Sequence, residues 1–354
     1  RLVTIEELRE VMISAGDRGL LAMAGWLGII LVATEGLRSW EELERLATWI
    51  VRFAGVVASL GLLQYFTGIN VAAMIQIPGL STAVDFTTYT RSVLNRVVST
   101  SGHPIEFGVI MAAILPLALH RSLHNKTAAS WVPTVLVGLM VLMSVSRSAV
   151  LVAGTVLIVL LLGWPNRWRV VAILSAPFLA IAGRAVFPGL LGTITGLFQN
   201  VEGDPSVEGR TQDYPHVLRL FAENPVFGKG LYTWATYYYR TLDNQALVSL
   251  LELGAFGILA FVYLIATAAV SGVGSRWFTK DARQRHLGLA LTASTLGISL
   301  SYVTFDALGF AQAAGLTFLL VGMAGAAWRL SREGAVGELR AAPREVSAFE
   351  ARGH

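Results

Sequence analysis

Hydrophobic residues along this chain form long continuous runs rather than the short alternating patterns of soluble domains. A membrane-spanning helix needs about 20 mainly apolar residues, and about nine segments approach that length. We therefore predict an all-α, polytopic membrane helical bundle, with residues 1–333 forming a single transmembrane domain. The predicted spans are residues 19–35, 45–67, 103–120, 130–146, 148–163, 169–187, 245–271, 286–304 and 308–328.

Polar residues between these runs predict the orientation. Short connections rich in Lys and Arg are usually cytoplasmic, and alternating spans place all of the basic connections on one side. The N-terminus is then outside, and residues 334–354 form a disordered cytoplasmic tail. Two long outer loops remain, residues 68–102 and 188–244, and long loops are usually functional. The basic residues are Arg121, Lys126, Arg167, Arg169, Arg276, Lys280, Arg283, Arg285, Arg329 and Arg332.

Composition agrees with a lipid environment. Charged residues make up 14% of the chain and hydrophobic residues 54%, whereas soluble domains carry roughly 25% charged residues. The net charge of +4 reflects loop arginines and does not indicate a nucleic-acid partner. The chain has no cysteine, and its six histidines are scattered, so we predict no metal site and no cofactor. It begins at Arg1 without a signal peptide, so we expect an odd number of further spans upstream.

An arginine on the predicted outer side is the first candidate for chemistry. Arg147 lies between Ser146 and Ser148 and interrupts an apolar stretch. A guanidinium at the membrane edge is costly unless it snorkels or meets an anion. A helix start offers free N–H groups, and arginine presents a planar fork of donors to phosphate oxygens. The segment therefore suits a diphosphate, and a snorkelling arginine at a hairpin turn is the alternative.

A second candidate site lies at the start of the third span. Arg96 precedes Gly102-His103-Pro104, and Glu106 follows. His103 and Glu106 are three residues apart, so they share one face of a helix near the outer interface. They are either an acid/base pair or a polar clamp for sugar. A capped helix with a structural glutamate explains the same pattern.

The long outer loop supplies the third candidate group. Gly209-Arg210 precedes an amphipathic stretch, residues 211–222, in which Tyr214, Leu218 and Phe221 are spaced for one face and His216 is a candidate ligand for substrate. Residues 228–230 read Gly-Lys-Gly, and Lys229 lies in a turn or in a backbone nest that holds phosphate.

The start of the following span supplies the fourth candidate group. Asp243 and Asn244 precede the apolar run, and Glu252 lies two turns deeper. An acidic residue within a span is a functional-site hypothesis by default. A buried partner for a nearby arginine is the alternative for Glu252.

Taken in order, these motifs resemble the O-antigen ligase and polymerase superfamily of bacterial envelope glycosyltransferases. The resemblance covers roughly residues 90–275, and the order of the motifs around one long outer loop is its strongest part. The matching residues are Gly102-His103-Pro104, Ser146-Arg147-Ser148, Gly209-Arg210, residues 224–230, Asn244-Gln245 and residues 251–257.

This resemblance implies a helical fold of the lipid-linked-sugar glycosyltransferase type. It implies transfer of a glycan from an undecaprenyl-diphosphate-linked donor to an acceptor hydroxyl of a glycan, lipid or protein. The reaction would occur on the extracytoplasmic face of the bacterial plasma membrane, without a metal. A transporter or flippase of the lipid-linked glycan is the alternative, but it would need charges at mid-span depth in several helices.

The resemblance also implies roles for individual residues. Arg147 and Arg210 would hold the diphosphate. Asp243 stands where ligases carry a histidine before the asparagine, so it becomes the candidate general base. The expected substrate-binding residues are Arg96, His103, Glu106, His216, Lys229, Asn244 and Glu252. Ligase and polymerase activity are not separated by these motifs.

Overall fold

A computed structural model describes residues 5–75, 89–91, 94–125, 127–186, 189, 192–193, 195–196, 205–234 and 239–341. Most of these residues are helical. The helices are α1 (Ile5–Gly36), α2 (Trp40–Thr67), α3 (Val71–Met74), α4 (Pro104–Asn125), α5 (Ala128–Met143), α6 (Arg147–Gly163), α7 (Asn166–Val186), α8 (Pro205–Phe221), α9 (Gln245–Phe278), α10 (Ala282–Leu300) and α11 (Ala311–Ala341).

The remaining regular structure lies at one end of the helices. Two short antiparallel strands, β1 (Tyr89–Arg91) and β2 (Leu94–Arg96), form a hairpin before α4. Two turns of 3₁₀ helix, Ser301–Val303 and Ala307–Gly309, connect α10 to α11.

The polytopic helical bundle predicted from the hydrophobic runs is confirmed. Each predicted span overlaps a helix, and in the described part of the chain six helices are long and apolar enough to cross a membrane. Helices α5 and α6 are apolar but contain only 16 and 17 residues, which is short of the roughly 20 that a full span needs. The number of crossings therefore stays a prediction.

The C-terminal boundary differs from the prediction. Helix α11 continues to Ala341, beyond Gly334, where a disordered tail was predicted to begin. The helical pattern persists there because residues 334–341 contain good helix formers such as Ala, Glu, Leu and Arg. Residues 342–354 lie outside the described part of the chain.

Helices α4 and α10 form the centre of the bundle. Phe107 and Leu117 of α4, and Leu287 and Leu291 of α10, are fully buried. Helix α4 packs against α2, α5, α6 and α10, and α10 also packs against α9 and α11. The surrounding helices expose large apolar side chains, as membrane-embedded helices do. Examples are Leu20 and Leu31 of α1, Phe53 of α2 and Tyr263 of α9.

The predicted cytoplasmic connections meet at one end of the bundle. Arg329 donates to the carbonyl oxygens of Thr34 and Leu37, at 3.0 and 2.6 Å. Arg283 forms a bidentate pair with Glu44, at 3.0 and 3.1 Å. The first contact joins α11 to the end of α1, and the second joins the start of α10 to the start of α2. We refer to this end as the basic end, and to the opposite end as the loop end.

Helix α9 is broken at Gly254. The backbone of this glycine has φ 65° and ψ −167°, a region that is essentially restricted to glycine. The break leaves the carbonyl groups of Leu251 and Glu252 free to bond outside the helix. The N–H groups of Lys229 and Gly230 donate to these two carbonyls, at 3.0 and 2.7 Å. The outer loop therefore satisfies the backbone groups that the break exposes.

The loop also receives hydrogen bonds from α9. The N–H groups of Ala255 and Phe256 donate to the carbonyls of Pro225 and Val226, at 2.9 and 3.0 Å. The approach is so close that a Cβ atom at Gly228 would lie 2.4 Å from the α9 backbone. Two motifs that are distant in the sequence, residues 224–230 and 251–257, thus interlock through their backbones.

Replacement of Gly254 tests this backbone pairing between the outer loop and α9. Alanine there would place a Cβ atom 2.4 Å from the carbonyl oxygen of Val226 and force a conformation that costs about 1–3 kcal/mol for other residues. We expect Gly254→Ala to lower the thermal unfolding temperature in detergent. The matched control is Gly315→Ala in α11, where a Cβ atom meets nothing within 4 Å. That change should be neutral or stabilising by about 0.5–1 kcal/mol. Equal stability of both variants would contradict the close backbone contact at Gly254.

Candidate functional site at the loop end

The tip of the α5–α6 hairpin brings two arginines together. Ser146 caps the start of α6, and Arg147 is the first residue of that helix and is half-buried. Arg96, the last residue of β2, donates from Nε to the carbonyl oxygen of Ser144 at 3.0 Å. Both arginines therefore belong to the same hairpin-tip region, although the sequence presented them as two separate candidate sites.

His103 lies beside this tip, immediately before α4. Its Nδ1 accepts a hydrogen bond from the N–H of Ile105 at 3.1 Å, so a neutral ring carries its proton on Nε2. Burial and, to a smaller extent, the charge of Arg96 lower the pKa of His103 to about 4, although Asp243 acts in the opposite direction. At neutral pH His103 is thus an uncharged hydrogen-bond donor. It is poorly suited to the role of general base.

Asp243 is exposed just before the start of α9, and its negative charge affects the pKa values of nearby groups. Its charge influences His103 and contributes to the raised pKa of Asp306. Burial is the main cause of that rise and brings the pKa of Asp306 to about 6. Asp306 lies between the two 3₁₀ turns and was not among the predicted site residues. The only sequence signal for it was an acidic residue in an otherwise apolar connection.

Glu106 has a structural role, contrary to its predicted role in substrate binding. Its side chain is only 3% exposed. One carboxylate oxygen accepts from the N–H of Gly102 at 3.0 Å, and the other accepts from Gln312 and Ala313 at 3.2 and 3.4 Å. The carboxylate therefore joins the start of α4 to the start of α11. This is the structural interpretation that the sequence left open.

Of the two interpretations of residues 228–230, a turn or a phosphate nest, the structure favours the turn. The N–H groups of Lys229 and Gly230 are bonded to α9, as described above, and cannot also hold phosphate. The Lys229 ammonium pairs with Glu223 at 3.2 Å, and both side chains are exposed. Glu252 is buried, and its Oε1 accepts from the N–H of Trp234 at 3.0 Å. Both residues fix the outer loop on α9, Lys229 through its backbone and Glu252 through its carboxylate.

Asn244 connects α8 to α9, and His216 connects α8 to the outer loop. The Asn244 side chain caps α9 by accepting from N–H groups in its first turn, and its Nδ2 donates to the Tyr214 hydroxyl at 3.4 Å. The His216 ring packs edge-on against Trp234, with ring centroids 6.4 Å apart. The role of Asn244 and His216 in binding substrate stays a prediction.

Helix α8 carries Arg210 and exposes part of its apolar face. Tyr214 and Leu218 are 46% and 55% exposed, while Asp213 and Val217 are buried. Exposed apolar residues are favourable where a helix meets lipid. The Arg210 side chain lies outside the described residues, so its proximity to Arg147 stays a prediction.

A group of three histidines at the basic end was not predicted. His120, His124 and His286 place one ring nitrogen each within 4.8 Å of one another. The sequence held a signal, since His120 and His124 lie one helical turn apart. His286 is contributed by a different helix and could not be placed from the sequence.

Hydrogen bonds determine what this histidine group can do. Trp164 donates to Nε2 of His286 at 2.7 Å, the Nδ1 atoms of His286 and His120 lie 2.9 Å apart, and His120 Nε2 lies 3.0 Å from Glu44. Because tryptophan only donates, the bonds run in one direction from Trp164 to Glu44. Neither nitrogen of a neutral His286 then keeps a free lone pair. The geometry favours a hydrogen-bonded network over a metal site.

Comparison with known proteins gives one family. Residues 132–262 match the family model described as O-Antigen ligase. No curated protein matches the chain. The matched range contains Arg147, helix α8, Asp243 and the break in α9. The resemblance inferred from the motifs is confirmed, and the match indicates a multi-pass membrane enzyme of polysaccharide assembly.

The pKa values of His103 and Asp306 predict opposite effects on stability. The folded pKa of His103 is about 4 against an ordinary 6.5, so its contribution to stability is lost as the pH falls from 6.5 to 4. The folded pKa of Asp306 is about 6 against 3.8, so protonation favours the folded state as the pH falls from 6 to 3.8.

Thermal unfolding across this pH range separates the two groups. The difference in unfolding temperature between His103→Asn and the parent chain should shift in favour of the variant when the pH is lowered from 7.5 to 4.5. Asparagine retains an acceptor for the Ile105 N–H but does not titrate. For Asp306→Asn the same difference should shift in favour of the parent chain when the pH is lowered. Identical pH profiles for the parent and both variants would contradict the assigned electrostatics.

Proposed function

We propose that this chain is a glycosyltransferase that moves a glycan from an undecaprenyl-diphosphate donor to an acceptor hydroxyl. The observation that carries the proposal is the placement of Arg147 and Arg96 at one hairpin tip, in the same electrostatic neighbourhood as His103 and Asp243. The family match supports it, because the matched residues include Arg147 and Asp243.

The proposed active site faces the outside of the bacterial plasma membrane. The connections at the basic end are rich in arginine and lysine, and such connections are retained in the cytoplasm. The loop end, which carries Arg147 and Asp243, would then be extracytoplasmic. The lipid carrier would reach it from the bilayer, between helices that expose apolar side chains.

Arginines would bind the diphosphate of the donor. Each guanidinium can form two parallel hydrogen bonds to phosphate oxygens. Negative charge develops on the diphosphate as the bond to the sugar breaks, and fixed positive charge stabilises that transition state. We assign this role to Arg147 and Arg96 and, as the resemblance implies, to Arg210 of α8. In this mechanism the guanidinium groups supply the positive charge, so no metal ion is required.

Asp243 would activate the acceptor. Its carboxylate takes the proton of the acceptor hydroxyl while that oxygen forms a bond to the anomeric carbon. The bond from the anomeric carbon to the diphosphate breaks, and undecaprenyl diphosphate leaves. The neutral His103 donates from Nε2 to a sugar or phosphate oxygen and does not act as the base. Transport of the glycan is less well supported, because Glu252, the chief charge at mid-span depth, is bonded to Trp234.

Replacement of the proposed catalytic groups tests this mechanism. We expect Arg147→Gln to lower transfer by about 10²–10³-fold, as loss of one transition-state donor does. Asp243→Asn should lower it by about 10²–10⁴-fold, the usual contribution of a general base. The assay is release of undecaprenyl diphosphate by purified protein in vesicles that contain the lipid-linked donor and an acceptor.

The matched control is Arg219→Gln. Arg219 is an exposed arginine on α8, at the loop end but outside the proposed site, and its loss should leave transfer within about twofold. All variants should retain the parent unfolding temperature. Normal transfer by folded Arg147→Gln and Asp243→Asn variants would refute the mechanism.

A product assay separates the two activities that the family includes. The protein is supplied with the lipid-linked donor alone. A polymerase extends the donor into longer lipid-linked chains, because the donor also provides the acceptor. A ligase releases no undecaprenyl diphosphate until a different acceptor is added.

A further inference from the structure

The basic end of the bundle contains a cavity of about 390 Å³. It lies between the α6–α7 connection and the α9–α10 connection, and with His124 of α4 five helices contribute to its wall. Among the described residues that line it, four are permanently charged cations and none is acidic. The polar and aromatic lining residues are Arg167, Arg276, Lys280, Arg285, His124, His286, Trp164 and Trp168.

Carboxylates near this cavity are engaged elsewhere. Glu44 pairs with Arg283 and His120. Asp281 caps α10 by accepting from the N–H groups of Arg283 and Gln284, at 2.7 and 3.1 Å. These two acids stabilise the helix ends, and no described carboxylate lines the cavity itself.

Buried polar atoms at the cavity lack partners. Arg276 donates from one terminal nitrogen to the carbonyl of Gly163 at 2.8 Å, but its Nε is buried without a hydrogen bond in the described part of the chain. The same is true of His124 Nε2. In addition, the positive charge of Arg285 repels the positive charge of Arg276. Unsatisfied buried polar atoms and like charges are both costly. Anionic oxygen atoms in the cavity would remove both costs.

The surroundings of the cavity indicate where this anion comes from. Leu162 and Trp277 directly adjoin lining residues and are 73% and 78% exposed, so they face lipid. Trp164 and Trp168 have the amphipathic rings that are enriched at the membrane–water interface. Basic pockets between transmembrane helices on the cytoplasmic side bind the headgroups of anionic lipids.

We propose that this cavity binds the phosphate-bearing headgroup of an anionic membrane lipid. The bound lipid would hold the ends of α6, α7, α9 and α10 together at the face opposite the proposed active site. This inference does not depend on the glycosyltransferase activity.

Lipid binding to the purified full chain tests the proposal. Native mass spectrometry measures the apparent Kd for phosphatidylglycerol and for the zwitterionic phosphatidylethanolamine. We expect phosphatidylglycerol to bind more tightly. The double variant Arg167→Gln/Arg285→Gln removes two exposed lining arginines and should weaken its binding about 30-fold, since each cationic side chain near a membrane surface contributes about fivefold.

A matched control separates a specific site from general attraction. Arg38→Gln/Arg45→Gln removes the same charge from exposed positions at the basic end that do not line the cavity, and should change the Kd by less than about threefold. An equal loss in both double variants would overturn the proposal, as would equal affinity of the parent chain for the two lipids. Displacement of phosphatidylglycerol by micromolar inorganic phosphate would instead assign the cavity to a soluble anion and would also overturn it.

Discussion

The exchange of backbone hydrogen bonds at the break in α9 is the constraint on which the loop end depends. An unsatisfied backbone group within a bilayer costs several kcal/mol, so a transmembrane helix can break only where another segment supplies the missing partners. Residues 225–230 supply them on both sides of Gly254. This fixes the outer loop on the helix that begins beside Asp243. The glycines at 228 and 254 are required because the two backbones approach too closely for any side chain.

The same principle organises the rest of the proposed active site. Buried polar side chains at the loop end mostly bond to backbone groups: Arg96 bonds to the hairpin tip, Glu106 to the starts of two helices, and Glu252 to the outer loop. These contacts form a rigid frame. Arg147 and His103 are half-buried at the edge of this frame, and Asp243 is exposed there. A frame of this kind positions catalytic groups more accurately than flexible loops would.

The sequence predicted the helices well because long apolar runs have few alternatives in a membrane protein. It also identified the hairpin tip, since Arg147 interrupts an apolar stretch at a predictable place. It did not separate binding residues from structural ones. Glu106, Lys229 and Asn244 have side chains suited to either role, and only their tertiary partners decide between them. The histidine group was missed because His286 comes from a distant helix.

The interlocked loop has a consequence for local dynamics. Surface loops usually open readily and exchange their amide hydrogens fast. The amides of Lys229 and Gly230 instead serve as partners of a transmembrane helix. Their release requires that helix to open as well, so loop and helix form one cooperative unit. Slow deuterium uptake in an outer connection, matched in rate to the interior of α9, would be the signature of that coupling.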